Sequence, residues 1–258
     1  MEEQTAPLPD GELTAELGTK APSRRLLADT FDRWVVELFG VFSVTDRLLR
    51  DYRGAKGVAR ALPTPVEGIA ECCGFEIVPE DLNRYRSKQI SLTIGQISLP
   101  ERKIFIDNGI GVSYAQKRYA VAHELGHAYL QDQLQQGTQH CTEARIPSGR
   151  NEFLADIFAA FLMLPPRETF EYVREYIQSD PKRPVDHEKM MEELSGAARY
   201  PYTRTITAYE YLRLLASYEH YHKEEIIRLM KSLGEESVPI ADLTAMLEEP
   251  IASVELYG

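Results

Sequence analysis

Apolar residues along the first part of the chain recur at helical spacing. In "RRLLADTFDRWVVELFG" Leu27, Phe31, Trp34, Val35 and Leu38 fall three or four residues apart or side by side, which predicts an amphipathic helix. Gly40 predicts its end and "SVTDRLLRDY" a second helix, the two making an N-terminal helical part over residues 25–62. "RGAKGVARALPTP", with glycine and proline at both ends, predicts a connector, and "PVEGIAECCGF" a short helix that stops at Gly74.

The period then changes. "FEIV", "QISLTIGQISL" and "KIFIDNG" predict strands; Ile90, Leu92 and Ile94 share one parity and Ile97 and Leu99 the other, so the buried face switches at Gly95, as at a bulge or tight hairpin. The expectation is a small, mostly antiparallel sheet ended by Asn108-Gly109. Ser113 with Gln116 three residues on predicts a capping box at the start of the helix "SYAQKRYAVAHELGHAYLQDQL".

Beyond that helix, residues 131–150 are polar and irregular, a loop long enough to be a lid or an insertion. "NEFLADIFAAFLML" is a strongly apolar helix ended by Pro165-Pro166, and the remainder is helical with breaks at Pro181, Pro184 and Pro201. The expected organisation is a mobile leader over 1–24, the helical part over 25–62, a catalytic core over 63–170, a C-terminal helical part over 171–234 and an acidic tail over 235–258. That tail holds six acids and no base. The class is α+β, flanked by helices at both ends.

Composition narrows the function. With 258 residues, 43% hydrophobic and 27% charged, the chain has material for one large core or two modest ones. Forty acids against 29 bases leave a net charge of −11, which opposes nucleic acid and anionic membrane and favours a protein or peptide partner. Three cysteines, Cys72 and Cys73 adjacent and Cys141 distant, imply no disulfide framework and suit a reducing compartment. The acidic, proline-punctuated N-terminus resembles no targeting peptide, and no apolar run approaches membrane-spanning length, so a cytoplasmic location is expected.

The chemistry is concentrated in "HELGH". His123 and His127, four apart, lie on one helix face, where both imidazoles can meet one zinc ion. Glu124, on the neighbouring edge, has the reach of a general base toward a water at that ion. A further protein ligand is needed to leave one position for water. Leu130 and Gln133 stand where a third histidine pattern downstream would need Gly and His, which closes that branch. "RNEFLAD" offers Glu152 at a helix start, and Asp156, four residues on, can accept the second N–H of His123.

"QKRYAVAHELGHAYL" followed by "NEFLADIFAAFLMLP" resembles the ImmA/IrrE family of zinc metallopeptidases, whose pattern is an HELGH helix and then a helix reading roughly E-x-x-A-N-x-F-A-x-x-L-L-M-P. The strand and turn in "KIFIDNGIGVSY" resemble that family too, and the likeness covers about residues 65–170. It implies a zincin-like core, His123, His127 and Glu152 as zinc ligands, and Glu124 as general base. Asp156 stands where the family usually has Asn, a departure toward the gluzincin N-E-x-x-x-D pattern. The family typically cuts one regulatory protein, often a helix-turn-helix repressor or an antitoxin, so such a substrate is implied here, and the acidic chain suits a basic one.

Two alternatives stand beside the endopeptidase: a non-cleaving interaction module that keeps the fold, and a transcription regulator using the helical pair within 200–234. Substrate is expected to lie extended beside an edge strand, "KIFID", by analogy with zincins. His187, Tyr200, Tyr202, Arg204, His220 and His222 are candidates for an oxyanion donor. His140 and Cys141 read as incidental loop chemistry, Cys72 and Cys73 as core or near-core thiols. Gly126 costs about 1 kcal/mol inside a helix relative to Ala, which predicts close packing of the helix there.

Overall fold

A computed structural model describes residues 24–83, 93–109, 111–134, 149–179 and 184–216. Most of the expected leader, the acidic tail, most of the loop over 131–150 with His140 and Cys141, and the end of the C-terminal helical pair with His220 and His222 lie outside the described residues. The chain divides into two units, Met1–Trp34 and Val35–Gly258. Of the first, only helical backbone from Arg24 onward is described. All side-chain contacts below belong to the second.

Helix α1 runs Arg24–Lys56 without interruption, where two helices were expected. A glycine inside a helix costs only about 1 kcal/mol. Around Gly40 the chain buries Leu38, Phe39, Val41 and Phe42, each contributing roughly 1.5–3 kcal/mol, so packing overrides the local break. Helix α2 (Val66–Cys72) ends as expected: Gly74 takes φ +79°, its N–H reaches Glu71 O at 2.9 Å, and Phe75 N–H reaches Ala70 O at 3.0 Å. That pair of bonds is a Schellman stop, which needs the left-handed residue glycine supplies.

Strands β1 (Glu76–Glu80), β2 (Gly95–Ser98) and β3 (Lys103–Asp107) form a sheet in the order β1-β3-β2. β3 is parallel to β1 and antiparallel to β2, so the sheet is mixed rather than mostly antiparallel. The chain reverses twice between β1 and β3, once over 81–94 and once in the β2–β3 hairpin, and two reversals restore the direction. The first excursion is closed at its base by Asn83, whose Nδ2 donates to Thr93 O and whose Oδ1 accepts from Thr93 N, both at 3.1 Å. Contrary to the expectation of an edge position, "KIFID" is the central strand, paired on both sides, and among the described residues β2 lies at an edge of the sheet.

Helix α3 (Tyr114–Leu134) starts at the expected capping box, with Ser113 N–H donating to Gln116 Oε1 at 2.8 Å and Gln116 N–H to Ser113 Oγ at 3.2 Å. It buries Ala120, Val121, Ala122 and Leu125 between the sheet and helix α4 (Gly149–Met163). From Leu154 to Leu164 every residue is buried except Asp156. A helix so nearly apolar all round belongs in the middle of a fold, which is where α4 lies. Helices α5 (Pro166–Ser179), α6 (His187–Ala198) and α7 (202–216) complete the described chain. No helix among the described residues is long and apolar enough to cross a membrane.

Two contacts lock α3. Arg118, 2% exposed, donates through Nη1 to Ala198 O at 2.7 Å and Arg199 O at 3.2 Å, through Nη2 to Thr64 O, and stands 3.5 Å from Glu67. One guanidinium thus joins the entry to α2, the exit from α6 and α3. On the other face a Cβ at Gly126 would lie 3.0 Å from Ala155 Cα, 3.1 Å from Ala155 O and 3.1 Å from Phe158 Cβ. The helix does pack closely at Gly126, against the backbone of α4. Gly126→Ala is therefore expected to destabilise the metal-free protein by about 1 kcal/mol or more, strain outweighing the propensity gained. Gly40→Ala meets nothing within 4 Å and is expected to stabilise by about 0.5–1 kcal/mol. Urea denaturation of both variants checks the contrast, and shifts of one sign would contradict it.

Candidate metal centre

His123 and His127 rise from successive turns of α3 with ring centroids 4.7 Å apart and planes nearly perpendicular, their Nε2 atoms 3.1 Å apart. Glu152, in the first turn of α4, faces both: its Oε2 is 3.2 Å from His123 Nε2 and its Oε1 3.2 Å from His127 Nε2. The Gly126 crossing makes this possible, because it brings two helices with short ligand side chains almost into backbone contact. Among the described residues these three form a set of donors able to hold one metal ion, with ligand atoms within 4.8 Å of one another.

The donor set fits a cation. Neighbouring imidazole nitrogens and a carboxylate all aim at one point, an arrangement that needs positive charge between them. Ligands of a tetrahedral zinc at about 2.0–2.1 Å sit roughly 3.4 Å from each other, close to the separations found here. Two nitrogens and a carboxylate oxygen suit zinc chemistry; the Glu152 side chain is 43% exposed, the two imidazoles 14% and 12%.

Around these three stands a second ring of side chains. His123 Nδ1 is 2.9 Å from Asp156 Oδ1, so its proton sits on Nδ1 and its Nε2 lone pair faces inward. Tyr119 donates its hydroxyl to the same oxygen, and Arg204 of α7 donates through Nη1 to Oδ2 at 2.9 Å. The guanidinium also lies over the Tyr119 ring, 4.7 Å from its centroid. Burial would raise the Asp156 pKa, but the bonds to His123 and Tyr119 and the charge of Arg204 bring it down to about 2.

The surroundings shift the two imidazole pKa values in opposite directions. Burial works against charge on His123, but its bond to Asp156 and the carboxylates of Glu124, Asp156 and Glu152 outweigh that and raise its pKa. Burial and the charge of His123 lower that of His127, with Glu152 and Asp156 opposing. In the metal-free protein His123 is therefore the readier of the two to take up a proton.

Glu124, 8% exposed, lies under the first residue of β2. A Cβ on Gly95 would be 3.0 Å from its Oε1, 3.1 Å from Ala120 Cβ and 3.2 Å from Glu124 Cγ. A side chain at this position would press on the carboxyl, so glycine lets the strand backbone pass close to it. Burial raises the Glu124 pKa to about 7, His123 opposing and Glu152 adding.

Thus the structure brings His123, Glu124, His127, Glu152 and Asp156 into one locality. Of the candidate oxyanion donors, Arg204 instead holds Asp156, Tyr200 is buried with its ring 6.0 Å from that of Tyr119, and Tyr202 and His187 are exposed. Tyr119 was not singled out from the sequence. Its position four residues before His123, on the same helix face, was the available signal. Cys73 accepts from the Tyr129 hydroxyl at 3.0 Å, and Cys72 is exposed rather than core.

A family model described as the IrrE N-terminal-like domain, of a peptidase family, matches residues 70–194, from the end of α2 into α6. Comparison with curated proteins returned no match.

Glu124 also gives the metal-free protein a pH signature. A carboxyl whose pKa rises from 4.5 to about 7 on folding favours the folded state fully below pH 4.5, and this contribution is lost as pH rises through 7, an effect on the order of 3 kcal/mol. Urea denaturation across this window in wild type and Glu124→Gln is expected to show that part of the decline in wild type alone. Parallel curves would contradict it.

Proposed function

We infer, from the premise that residues 70–194 belong to the IrrE N-terminal-like peptidase family, that this chain is a zinc-dependent endopeptidase. Its substrate on this reading is a regulatory protein, such as a helix-turn-helix repressor or an antitoxin. The observation that carries the reading is the convergence of His123 Nε2, His127 Nε2 and the Glu152 carboxylate within 3.1–3.2 Å, beside a buried Glu124.

His123, His127 and Glu152 would hold the zinc. The metal supplies Lewis acidity and lowers the pKa of water there. Glu124, with a pKa brought near neutrality, takes a proton from the attacking water. The water oxygen bonds to the scissile carbonyl carbon, the C–N bond breaks, and Glu124 passes its proton to the departing amine. The remaining water proton is lost from the new carboxylic acid to solvent. Asp156 keeps His123 turned with Nε2 inward throughout.

An extended substrate would pair with β2, Gly95–Ser98, which among the described residues lies at an edge of the sheet, because β3 is filled on both sides. The substrate backbone is thereby brought past Gly95, the residue directly over Glu124. The net charge of −11 favours a basic substrate such as a DNA-binding protein.

The test compares wild type with Glu124→Gln and Glu152→Ala. Metal analysis is expected to find about one zinc per chain in wild type and in Glu124→Gln, with Glu152→Ala weakened by more than the roughly 10–100-fold that an outer partner costs. Labelling new N-termini after incubation with the source proteome is expected to reveal a small set that needs wild type and zinc and falls at least about 100-fold with Glu124→Gln. No wild-type-dependent termini, with zinc bound, would leave the non-cleaving module instead. Gly95→Ala is expected to keep its zinc and lose about 10-fold in cleavage rate through displacement of Glu124. An unchanged rate would remove β2 from the site.

A further inference from the structure

Helix α7 begins after the end of the matched segment at residue 194, yet one of its side chains reaches the centre. Its approach is fixed from several sides. Arg118 holds the carbonyls of Ala198 and Arg199, Ser195 Oγ donates to Tyr200 O at 2.7 Å, and the Tyr200 ring is buried beside Tyr119. Ala208, Leu212, Leu215 and Ala216 then seat the helix on the core at helical spacing.

From that anchored helix Arg204 engages Asp156 and, among the described residues, nothing nearer the three inward-facing side chains. Nη1 donates to Asp156 Oδ2 at 2.9 Å while the guanidinium face rests on Tyr119. Asp156 Oδ1 serves Tyr119 and His123. A carboxylate turns easily about its last torsion, which has broad wells. Held at one oxygen only, it can swing; held at both, its plane is set, and so is the imidazole bonded to it.

Resting on the zinc reading above, we propose that Arg204 is a positioning residue which, through Asp156, fixes the His123 ring so that its Nε2 faces the point shared with His127 and Glu152. Helix α7 is then part of the metal centre, although it lies outside the matched domain. A surface ion pair with no such role, formed by groups 44% and 33% exposed, would add little to stability and leave metal affinity unmoved.

The experiment measures zinc affinity of the full chain against a chromogenic chelator for wild type, Arg204→Gln, Asp156→Asn and the double variant. Expected are about 10-fold weaker zinc binding by Arg204→Gln, about 10–100-fold by Asp156→Asn, and a double variant within twofold of Asp156→Asn, because Arg204 has then lost the group it acts through. The metal-free melting temperature of Arg204→Gln should stay within a few degrees of wild type; if it does not, Arg204→Lys, which keeps a cation without the planar fork, takes its place under the same bounds. Affinity of the Arg204 variant within twofold of wild type overturns the proposal. So does an undiminished Arg204 effect in the Asp156→Asn background. A wild-type chain that binds no zinc fails the parent reading instead, an outcome distinct from either.

Discussion

The contact of Gly126 with the backbone of Ala155 is the constraint on which the centre depends. His127 follows the glycine and Asp156 follows the alanine, while His123 and Glu152 lie one turn back on their respective helices. Metal sites tolerate ligand displacements of only about 0.2 Å. Helices that met through ordinary side chains would stand several tenths of an ångström to an ångström further apart, beyond what short imidazole and carboxylate arms absorb without leaving their rotamers. The glycine that looks like a defect in an otherwise good helix is the reason that the candidate ligands of two helices share one point.

Three acids crowd around two imidazoles, and the surroundings give each a different character. Asp156 is ringed by donors, with His123, Tyr119 and Arg204 all pointing hydrogens at it, and stays ionised. Glu124 is covered by the β2 backbone and shifts toward the neutral form. Glu152, at the first turn of α4 and partly in solvent, faces both imidazoles. Carboxyl groups of nearly equal intrinsic acidity are thus given different characters by burial and hydrogen bonding alone: one held ionised, one shifted toward neutrality, and one left facing both imidazoles.

Much of this was legible along the chain because it is local. The Ser113–Gln116 box, the Gly74 stop and the four-residue step between His123 and His127 each involve residues within five positions, where backbone geometry leaves few options. Glu152 and Asp156 were legible for a related reason, since an acid at a helix start and a lone acid within an apolar helix both stand out against their surroundings. Gly40 misled because its local preference for a break is small beside the burial of its neighbours. The substrate edge was misassigned to "KIFID" because alternation reports that a residue is in a strand and says nothing of which strands flank it.

The sequence by itself therefore determined the α+β class, the HELGH helix with its cap, and the chemical identities at the candidate centre, all short-range properties of period, torsion and spacing. Tertiary structure decided the rest. It placed β3 in the middle of a mixed sheet between β1 and β2, set Gly95 over Glu124, and carried Arg204 across 48 residues of chain to Asp156. These depend on which surfaces bury each other once the chain has folded back on itself, and no window of neighbouring residues contains that information.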